Sequence, residues 1–438
     1  MKRYLALSLV SLMLLALPGR AADREHTLKV YNWADYIDED LLDEFEQWYK
    51  EQTGEEVEII YQLFDINEVM LAKIEKGHED FDVVCPSEYI IDRMLANDML
   101  LPINRDFGKT PDYIKNVSPY VLEQFAKLDK PGKRANDYSV GYMWGTTGIL
   151  YNPKFVTDDE VKSWGIIWDK RFEGKILVKD AYRDIYGPMI MYGRYQDILS
   201  GKVTREQLMN DSSDEAIAMV EKLLKDAKKN IAGWEVDFGK EMMTKEKAYI
   251  NVSWSGDAVW AIEEAAAVDV ELRYYVPQEG SNVWFDGWVI PKYAVNTKAA
   301  AYFINFMCMP ENALRNMDEI GYVSVIASPE VLEAKIDSSL TDYIDLSYFF
   351  GAEADSVPVD GIQYPDRSVI ERAALMRDCG NRTKDMLEMW SRVKGDNLDV
   401  RGLVMVILLF GGLISYAIYS KVKAYKKNKR RRKKRRKH

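Results

Sequence analysis

The chain has 438 residues, with 59 Lys or Arg against 70 Asp or Glu, and its formal net charge is −11. An acidic chain repels nucleic acid, so we expect no nucleic-acid partner. Three cysteines without a spaced pair and only three histidines disfavour a disulfide framework, a zinc site and a His-dependent catalytic triad. Since no flavin fingerprint is visible either, we expect no metal and no cofactor. Cys85 and Cys308 lie in apolar segments, where small buried residues are expected.

Residues 1–22 have the pattern of a secretory signal peptide. Lys2 and Arg3 give a positive start, residues 4–17 are an apolar run, and residues 19–21 form a small-x-small cleavage site. The run is shorter than a membrane-spanning helix, and a buried N-terminal strand is the alternative. No cysteine lies near the cleavage site, so the pattern predicts export without lipidation.

The first part of the exported body alternates strands with helices. Apolar residues at helical spacing followed by Gly54 predict one helix, and Ser87 is placed to cap another. Strands separated by single helices indicate a mostly parallel sheet with helices on its faces, which is the α/β class. The predicted strands are 28–31, 57–61 and 81–85, and the predicted helices are 38–53, 67–76, 87–95, 214–230 and 296–309.

Two loops that follow these strands combine aromatic side chains with hydroxyl or carboxylate groups. They are residues 32–36 (Asn-Trp-Ala-Asp-Tyr) and residues 86–89 (Pro-Ser-Glu-Tyr). Ligands of such sheets bind outside the C-terminal ends of the strands. We therefore expect both loops to contribute to a binding site.

Three later segments place an aromatic residue beside a carboxylate. They are residues 180–184 (Asp-Ala-Tyr-Arg-Asp), 254–257 (Trp-Ser-Gly-Asp) and 284–286 (Trp-Phe-Asp). Each one alone fits a core edge next to a solvated acid. Together they supply what a diammonium ligand needs, because carboxylates pair with its two ends and aromatic faces cover its methylenes.

The C-terminal end has the pattern of a membrane anchor. Residues 402–420 are 19 residues without a charge, and residues 421–438 contain 13 Lys or Arg. Because basic flanks stay in the cytoplasm, we expect one transmembrane helix, a cytoplasmic tail and a body on the periplasmic face of the inner membrane. A core helix is the alternative, although the stretch lacks a polar face. The tail also fits contact with anionic lipids and, less well, with nucleic acid or a ribosome.

Between its two ends the chain is strongly acidic. When the three basic residues of the signal and the 13 of the tail are set aside, 43 basic and 70 acidic residues remain, a net charge of −27. Such a charge concentrates cations, although solubility alone could account for it. With 12% aromatic residues, the composition suits capture of an organic cation.

Eight motifs occur in the same order and with similar spacings as in a known family. From about residue 28 to residue 394, the sequence resembles the periplasmic spermidine/putrescine-binding proteins of bacterial ABC transporters. The motifs are residues 31–36, 84–89, 142–147, 180–184, 254–257, 276–280, 284–286 and 320–322.

The resemblance implies a two-lobed periplasmic-binding-protein fold of type II, the Venus-flytrap arrangement, that closes around the polyamine. The first lobe would comprise residues 27–139 and 284–331, and the second lobe residues 140–283 and 332–397. It implies a binding protein rather than an enzyme, which delivers putrescine or spermidine to an ABC permease served by a separate ATPase.

The resemblance also implies ten ligand-binding residues. Three carboxylates would bind the ammonium groups: Asp184, Asp257 and Asp286. Seven other residues would line the cleft: Trp33, Tyr36, Ser87, Tyr89, Trp254, Trp284 and Tyr322. For Tyr36 and Tyr322 ordinary packing beside the cleft is the alternative, and for Ser87 helix capping alone.

The sequence departs from the family pattern in three places, two of which bear on the ligand. Ala181 stands where some spermidine-preferring members have a carboxylate, and Met376 aligns loosely with a glutamine of theirs. Asp257, in contrast, matches putrescine-preferring members. Losing one acid and one polar group disfavours a third ammonium, so the sequence favours putrescine. Residues 323–325 depart where relatives usually carry a proline, which bears on the lobe junction.

Other functions are less consistent with the sequence. No GxxxxGK[ST] loop is present, so the chain is not the transport motor. A sensor that reports polyamine level to a membrane partner is the main alternative, but the short basic tail contains no signalling domain. An enzyme acting on polyamines is disfavoured, because carboxylates paired with ammonium groups lose basicity and no nucleophile–base pair is visible.

Overall fold

The computed structural model describes residues 24–395. The twelve strands of this part of the chain are β1 (Thr27–Trp33), β2 (Glu58–Phe64), β3 (Val83–Val84), β4 (Leu100–Leu101), β5 (Ser139–Tyr151), β6 (Ile176–Lys179), β7 (Ile231–Glu235), β8 (Ile250–Trp254), β9 (Arg273–Tyr275), β10 (Ser281–Pro291), β11 (Val323–Ser324) and β12 (Ala373–Leu375).

The α-helices of the same part are α1 (Asp40–Thr53), α2 (Asn67–Glu75), α3 (Glu88–Ala96), α4 (Pro119–Ala126), α5 (Tyr182–Gly193), α6 (Tyr195–Leu199), α7 (Arg205–Met209), α8 (Asp214–Ala227), α9 (Gly239–Thr244), α10 (Ser255–Ala266), α11 (Thr297–Met307), α12 (Pro310–Ile320), α13 (Pro329–Lys335), α14 (Ser347–Phe350), α15 (Arg367–Glu371) and α16 (Thr383–Gly395).

Two sets of parallel strands lie at the two ends of one sheet. Strand β1 pairs in parallel with β2 and β3, and β6 pairs in parallel with β7 and β8. The order of the main path is β2-β1-β3-β10-β5-β8-β6-β7. Helices connect the parallel strands within each set, as parallel pairing requires. The predicted α/β class is confirmed.

The long antiparallel strands β5 and β10 join the two sets. Strand β10 pairs with β3 on one side and with β5 on the other, while β5 continues to β8. Every residue of β5 and of β10 is buried. The pairing shifts register between Asp286 and Gly287, and such bulges re-aim neighbouring side chains. These strands therefore position Trp284 and Asp286 in the interior.

Most predicted elements are present, but several bounds differ. The predicted strand 81–85 is reduced to Val83–Val84, and Pro86, which has no amide hydrogen, prevents the ladder from continuing past its C-terminal end. The predicted helix 214–230 ends at Ala227. The predicted helix 296–309 begins one residue later, since the Asn296 side chain caps it by accepting from the amide of Ala299. Cys85 and Cys308 are buried, as predicted.

A segment near the end of the described chain packs against earlier elements. The ring of Phe349 stacks on Trp144 with centroids 5.2 Å apart, and Tyr348 contacts Tyr120 edge to face. The Ser118 hydroxyl donates to the carbonyl of Phe349. Tyr120 and Ser118 belong to α4 and its cap, inside the predicted first lobe, whereas Trp144 lies in β5, inside the predicted second lobe to which residues 332–397 were assigned. The lobe boundaries remain a prediction.

Residues 24–384 belong to one compact unit, and the described part of the second unit is residues 385–395. Three predicted segments lie outside the described residues: the signal peptide 1–22, the membrane span 402–420 and the basic tail 421–438. Within residues 24–395, no helix combines the length and the apolar character needed to cross a membrane.

Candidate ligand-binding site

A buried carboxylate of β10, Asp286, lies where three segments meet. Its Oδ1 accepts from the Ser87 hydroxyl at 2.7 Å, and its Oδ2 accepts from the Tyr36 hydroxyl at 2.8 Å. Tyr36 follows β1, and Ser87 precedes α3. Because both donors are neutral, they do not compensate the negative charge of the Asp286 carboxylate. No ion pair to Asp286 occurs within residues 24–395.

The electrostatics around Asp286 are those of an acidic interior. Burial raises the pKa of Asp286 to about 7, with the charge of Asp184 adding to the rise and the Ser87 and Tyr36 hydrogen bonds opposing it. Burial also raises the pKa of Asp184, and it raises the pKa of Glu88 well above its usual range. A cation placed among these three groups would favour their ionised forms.

Ser87 stands at the N-cap position of α3, but its side chain makes no capping hydrogen bond. It donates to Asp286 instead, so the capping alternative is not what the hydroxyl does. Asn67 supports it, because its amide donates to the Ser87 hydroxyl at 3.0 Å and to the Tyr89 hydroxyl at 3.1 Å. The Tyr89 hydroxyl in turn donates to Glu68. This network places Ser87 and Tyr89 side by side.

Aromatic rings form a wall next to Asp286. Tyr322 contacts Tyr36 with ring centroids 5.3 Å apart and Trp284 at 5.5 Å, both edge to face. Gly256 permits this approach, because a Cβ there would lie only 2.3 Å from the Tyr322 ring. The indole Nε1 of Trp284 is buried without a hydrogen-bond partner in the described structure. The wall thus has both apolar faces and an unused donor.

Asp184, in the first turn of α5, is partly buried. Its Oδ1 accepts from the amide of Asn282 at 2.8 Å, and Trp254 also hydrogen-bonds to its carboxylate. The same Asn282 amide lies 3.9 Å from the sulfur of Met376. Met376 therefore touches the residue that holds Asp184. Like Asp286, Asp184 has no ion pair within residues 24–395.

Asp257 differs from the other two predicted acids. Its Oδ2 forms an ion pair with Lys179 at 2.5 Å, and Lys240 lies 3.8 Å from its Oδ1. The Tyr322 hydroxyl donates to it at 2.8 Å. Burial raises its pKa, but the charges of Lys179 and Lys240 outweigh this, and the pKa is lowered. This carboxylate is already matched by cations of the chain.

The structure joins eight predicted residues through one set of contacts: Tyr36, Ser87, Tyr89, Trp254, Asp257, Trp284, Asp286 and Tyr322. Asp184 joins through Trp254. Trp33 lies at the end of β1, partly buried, with its ring 4.5 Å from that of Phe64 and its Nε1 without a described partner.

The sequence reasoning missed several supporting residues. Asn67 donates to Ser87 and Tyr89, and Asn282 donates to Asp184. Glu88 accepts from the backbone amide of Phe285, between Trp284 and Asp286, and Lys179 pairs with Asp257. Glu88 lies in the segment 86–89, which the sequence predicts to contribute to the site, although it is not among the ten predicted ligand-binding residues. No comparable signal marked Lys179, whose partners are distant in sequence. Within the part of the chain that the structure describes, no cluster of His, Cys, Asp and Glu could hold a metal ion.

Known proteins with related sequences indicate the class of protein to which this chain belongs. The chain matches the family of bacterial extracellular solute-binding proteins over residues 41–339. It is 29% identical over 334 residues to the spermidine/putrescine-binding periplasmic protein of Escherichia coli strain K12, covering 76% of this chain and 87% of that one. It is 27% identical over 335 residues to the putrescine-binding periplasmic protein PotF of the same strain, with 74% and 84% covered.

Solved structures with a similar fold indicate the same class of protein. The substrate-binding protein PotD of a spermidine/putrescine ABC transporter from Streptococcus pneumoniae superposes with a TM-score of 0.61 at 29% identity, covering 84% of this chain and 98% of that one. The Tp0655 (TpPotD) lipoprotein of Treponema pallidum shares the fold, with a TM-score of 0.63 at 22% identity, covering 84% and 99%.

The fold is an α/β periplasmic-binding-protein fold, and the family to which the sequence matches consists of solute-binding proteins rather than enzymes. The chain belongs to the family of bacterial extracellular solute-binding proteins, since the match covers most of its length. The predicted resemblance to periplasmic spermidine/putrescine-binding proteins is confirmed.

Proposed function

We propose that the chain is the extracytoplasmic receptor of an ABC importer and that its ligand is a polyamine, putrescine or spermidine. The observation that carries the proposal is the pair Asp184 and Asp286, two acids with raised pKa and no ion pair among residues 24–395. A diammonium ligand supplies one cation to each, which ionises both and relieves the cost of burying them. Relatives named for spermidine and putrescine support this ligand class.

The aromatic wall accounts for the rest of a polyamine. Trp254 borders Asp184, while Tyr36 and Tyr322 border Asp286. Such rings cover the methylenes between the ammonium groups and attract the cations through their faces. Together with Ser87, Tyr89, Trp33 and Trp284, these residues form the proposed ligand-binding surface.

Putrescine is the favoured polyamine in this proposal. Ala181 precedes α5 and offers no second carboxylate, and Met376 is apolar where some relatives have a glutamine. Met376 touches Asn282, the partner of Asp184, so an apolar group there borders the site. Asp184 and Asp286, two acids without an ion pair among residues 24–395, match two ammonium groups.

The test is a calorimetric titration of the full-length protein in mild detergent. Putrescine, spermidine and spermine are compared with n-butylamine, which has one ammonium, and 1,4-butanediol, which has none. We expect putrescine to bind at least a hundredfold more tightly than n-butylamine, with no detectable butanediol binding. Equal affinities for the diamine and the diol would overturn the proposal.

The proposal includes the arrangement of the chain in the cell. The lobes, residues 27–139 with 284–331 and residues 140–283 with 332–397, would close around the ligand, with β5 and β10 as the strands that run between them. The predicted helix 402–420 would anchor the body to the inner membrane, and the basic tail 421–438 would remain in the cytoplasm. A permease and a separate ATPase would be the partners.

A further inference from the structure

The side chain of Lys179, the last residue of β6, is fully buried. Its ammonium has three acceptors: Asp257 Oδ2 at 2.5 Å, Glu235 Oε1 at 3.0 Å and the carbonyl of Val236 at 2.5 Å. A lysine ammonium has three N–H donors, so these contacts satisfy all of them. Lys179 is thus held in one position.

The surroundings of this ammonium are those predicted for a ligand's ammonium. Its Nζ lies 4.5 Å from the centroid of the Trp254 ring, at cation–π distance. Asp257 and Trp254 were both predicted to bind the ligand. The chain therefore places its own cation on two of the predicted binding residues.

The charge of Lys179 is stable in this position. Burial lowers the pKa of Lys179, but the charges of Asp257 and Glu235 outweigh it, and the pKa is raised. The pKa of Asp257 is lowered for the reciprocal reason. The pair remains ionised at neutral pH.

We propose that Lys179 fills one ammonium subsite of the binding site and thereby restricts the ligand to a diamine held by Asp184 and Asp286. The inference deepens the proposed function and rests on it. A third ammonium would have to displace Lys179 from Asp257 or lie unpaired beside a like charge, and both are unfavourable.

The chemistry of the two ligands fits this role. Spermidine exceeds putrescine by one aminopropyl arm. The side chain of Lys179 beyond its Cβ is the same group, three methylenes and an ammonium. The chain thus carries within the site the arm that distinguishes the triamine from the diamine, and shortening Lys179 to alanine opens the matching volume.

The experiment measures putrescine and spermidine affinities of the full-length wild type and of Lys179→Ala. We expect the ratio of spermidine to putrescine affinity to rise at least tenfold in the variant, because Asp257 becomes available to a third ammonium. The matched control is Lys240→Ala. Lys240 lies 3.8 Å from Asp257 but pairs with Asp237 and is partly exposed. Lys240→Ala removes one positive charge, as Lys179→Ala does, but does not open the subsite. The ratio of spermidine to putrescine affinity should therefore change less than threefold.

A second measurement covers a destabilised variant. n-Propylamine, the free equivalent of the missing arm, should raise the melting temperature of Lys179→Ala by several degrees, or restore its folding, and leave the wild type unchanged. An unchanged ratio, or no response to n-propylamine, would overturn the inference while wild-type putrescine binding upholds the proposed function. If the wild type binds neither putrescine nor spermidine, both the inference and the proposed function are overturned.

Discussion

The Tyr36 hydroxyl donates to Asp286 Oδ2 at 2.8 Å, although the two residues are 250 positions apart in the chain. Tyr36 follows the first strand, and Asp286 lies within β10, which runs antiparallel to β3 and β5. The bond forms because β10 pairs with β3, which is the neighbour of β1 in the sheet, and this pairing brings Asp286 close to the loop that follows β1. Together with the bond from Ser87, it fixes the orientation of a carboxylate that has no ion pair within residues 24–395.

Replacing Asp286 with asparagine should remove the partner of one ligand ammonium. Asp286→Asn keeps the size of the side chain but loses its charge, so we expect putrescine binding to weaken by roughly 2–5 kcal/mol. The measurement is calorimetric titration. The control is Asp159→Asn, whose exposed side chain pairs only with Lys162 among the described residues. A loss of tenfold or less would contradict the role assigned to Asp286.

Putrescine affinity should rise with pH between about 5 and 8. The pKa of Asp286 is raised to about 7 in the free protein, so binding an ammonium must release its proton below that pH. The amines themselves stay protonated, since alkylammonium groups titrate near ~10. Affinity should fall up to about tenfold per pH unit below 7, and Asp286→Asn should flatten the profile.

The raised pKa of Asp286 also makes the stability of the ligand-free protein depend on pH. The pKa of Asp286 in the folded protein is raised above its unfolded value of ~4. Its contribution to the free energy of unfolding is therefore fully present below pH ~4 and is lost as the pH rises through about 7. The thermal shift on adding putrescine should therefore grow over that interval. A shift that is equal at pH 5.5 and pH 7.5 would contradict the prediction.

Tryptophan substitutions should separate the aromatic surface from the fold. Trp254→Ala removes apolar cover and the side chain that hydrogen-bonds to Asp184, and Trp284→Ala removes apolar cover and a cation-attracting face. We expect each substitution to weaken putrescine binding at least fivefold. Trp168, which stacks on Tyr192 with centroids 4.6 Å apart, provides the control. Trp168→Ala should lower the melting temperature without a comparable loss of affinity. Equal effects at all three positions would indicate a purely structural role.

Local sequence patterns predicted the strand–helix alternation well because it depends on nearby residues. The bounds of α1 and α3 follow from apolar periodicity and from Gly54, which ends α1 in the left-handed region at φ 75°. Motif resemblance then predicted the acids and rings. The contacts among them depend on how β5 and β10 pair across the sheet, which periodicity does not encode.

Lys179 shows why part of the site could not be predicted. In the sequence, Ile-Leu-Val-Lys resembles a buried strand that ends at a solvated lysine, and charged residues are rarely fully buried. Its partner Asp257 is 78 positions away. Only the parallel pairing of β6 with β8, together with α10 after β8, brings the lysine to Asp257 and Trp254.

A carboxylate at position 181 should shift specificity toward the triamine. Ala181 precedes α5 and is partly exposed, so an aspartate there adds a second acid near Asp184. We expect Ala181→Asp to raise spermidine affinity relative to putrescine at least threefold, measured by calorimetry. Ala181→Asn, of similar size but neutral, is the control. An unchanged or reversed ratio would remove the reason for favouring putrescine from this position.

The proposed C-terminal anchor predicts how the protein fractionates. An uncharged stretch of 19 residues, 402–420, precedes 13 basic residues, and many charges would have to enter hydrocarbon for a helix formed by this stretch to be pulled through. In the proposed arrangement, tethering would hold the receptor near its permease and raise its effective concentration there. We expect the protein to fractionate with the inner membrane and to resist salt and carbonate washes. Deleting the residues after Asp399 should release a secreted protein that still binds polyamine.

The orientation can be tested with the same preparation. Protease added to spheroplasts should digest the body and spare an epitope fused after residue 438, because the basic tail is predicted to lie in the cytoplasm. Replacing the 13 basic residues of the tail with glutamine is the control, since it should weaken this orientation without shortening the helix. Full-length protein in the soluble periplasmic fraction would contradict the anchor. Digestion of the epitope with an intact body would contradict the orientation.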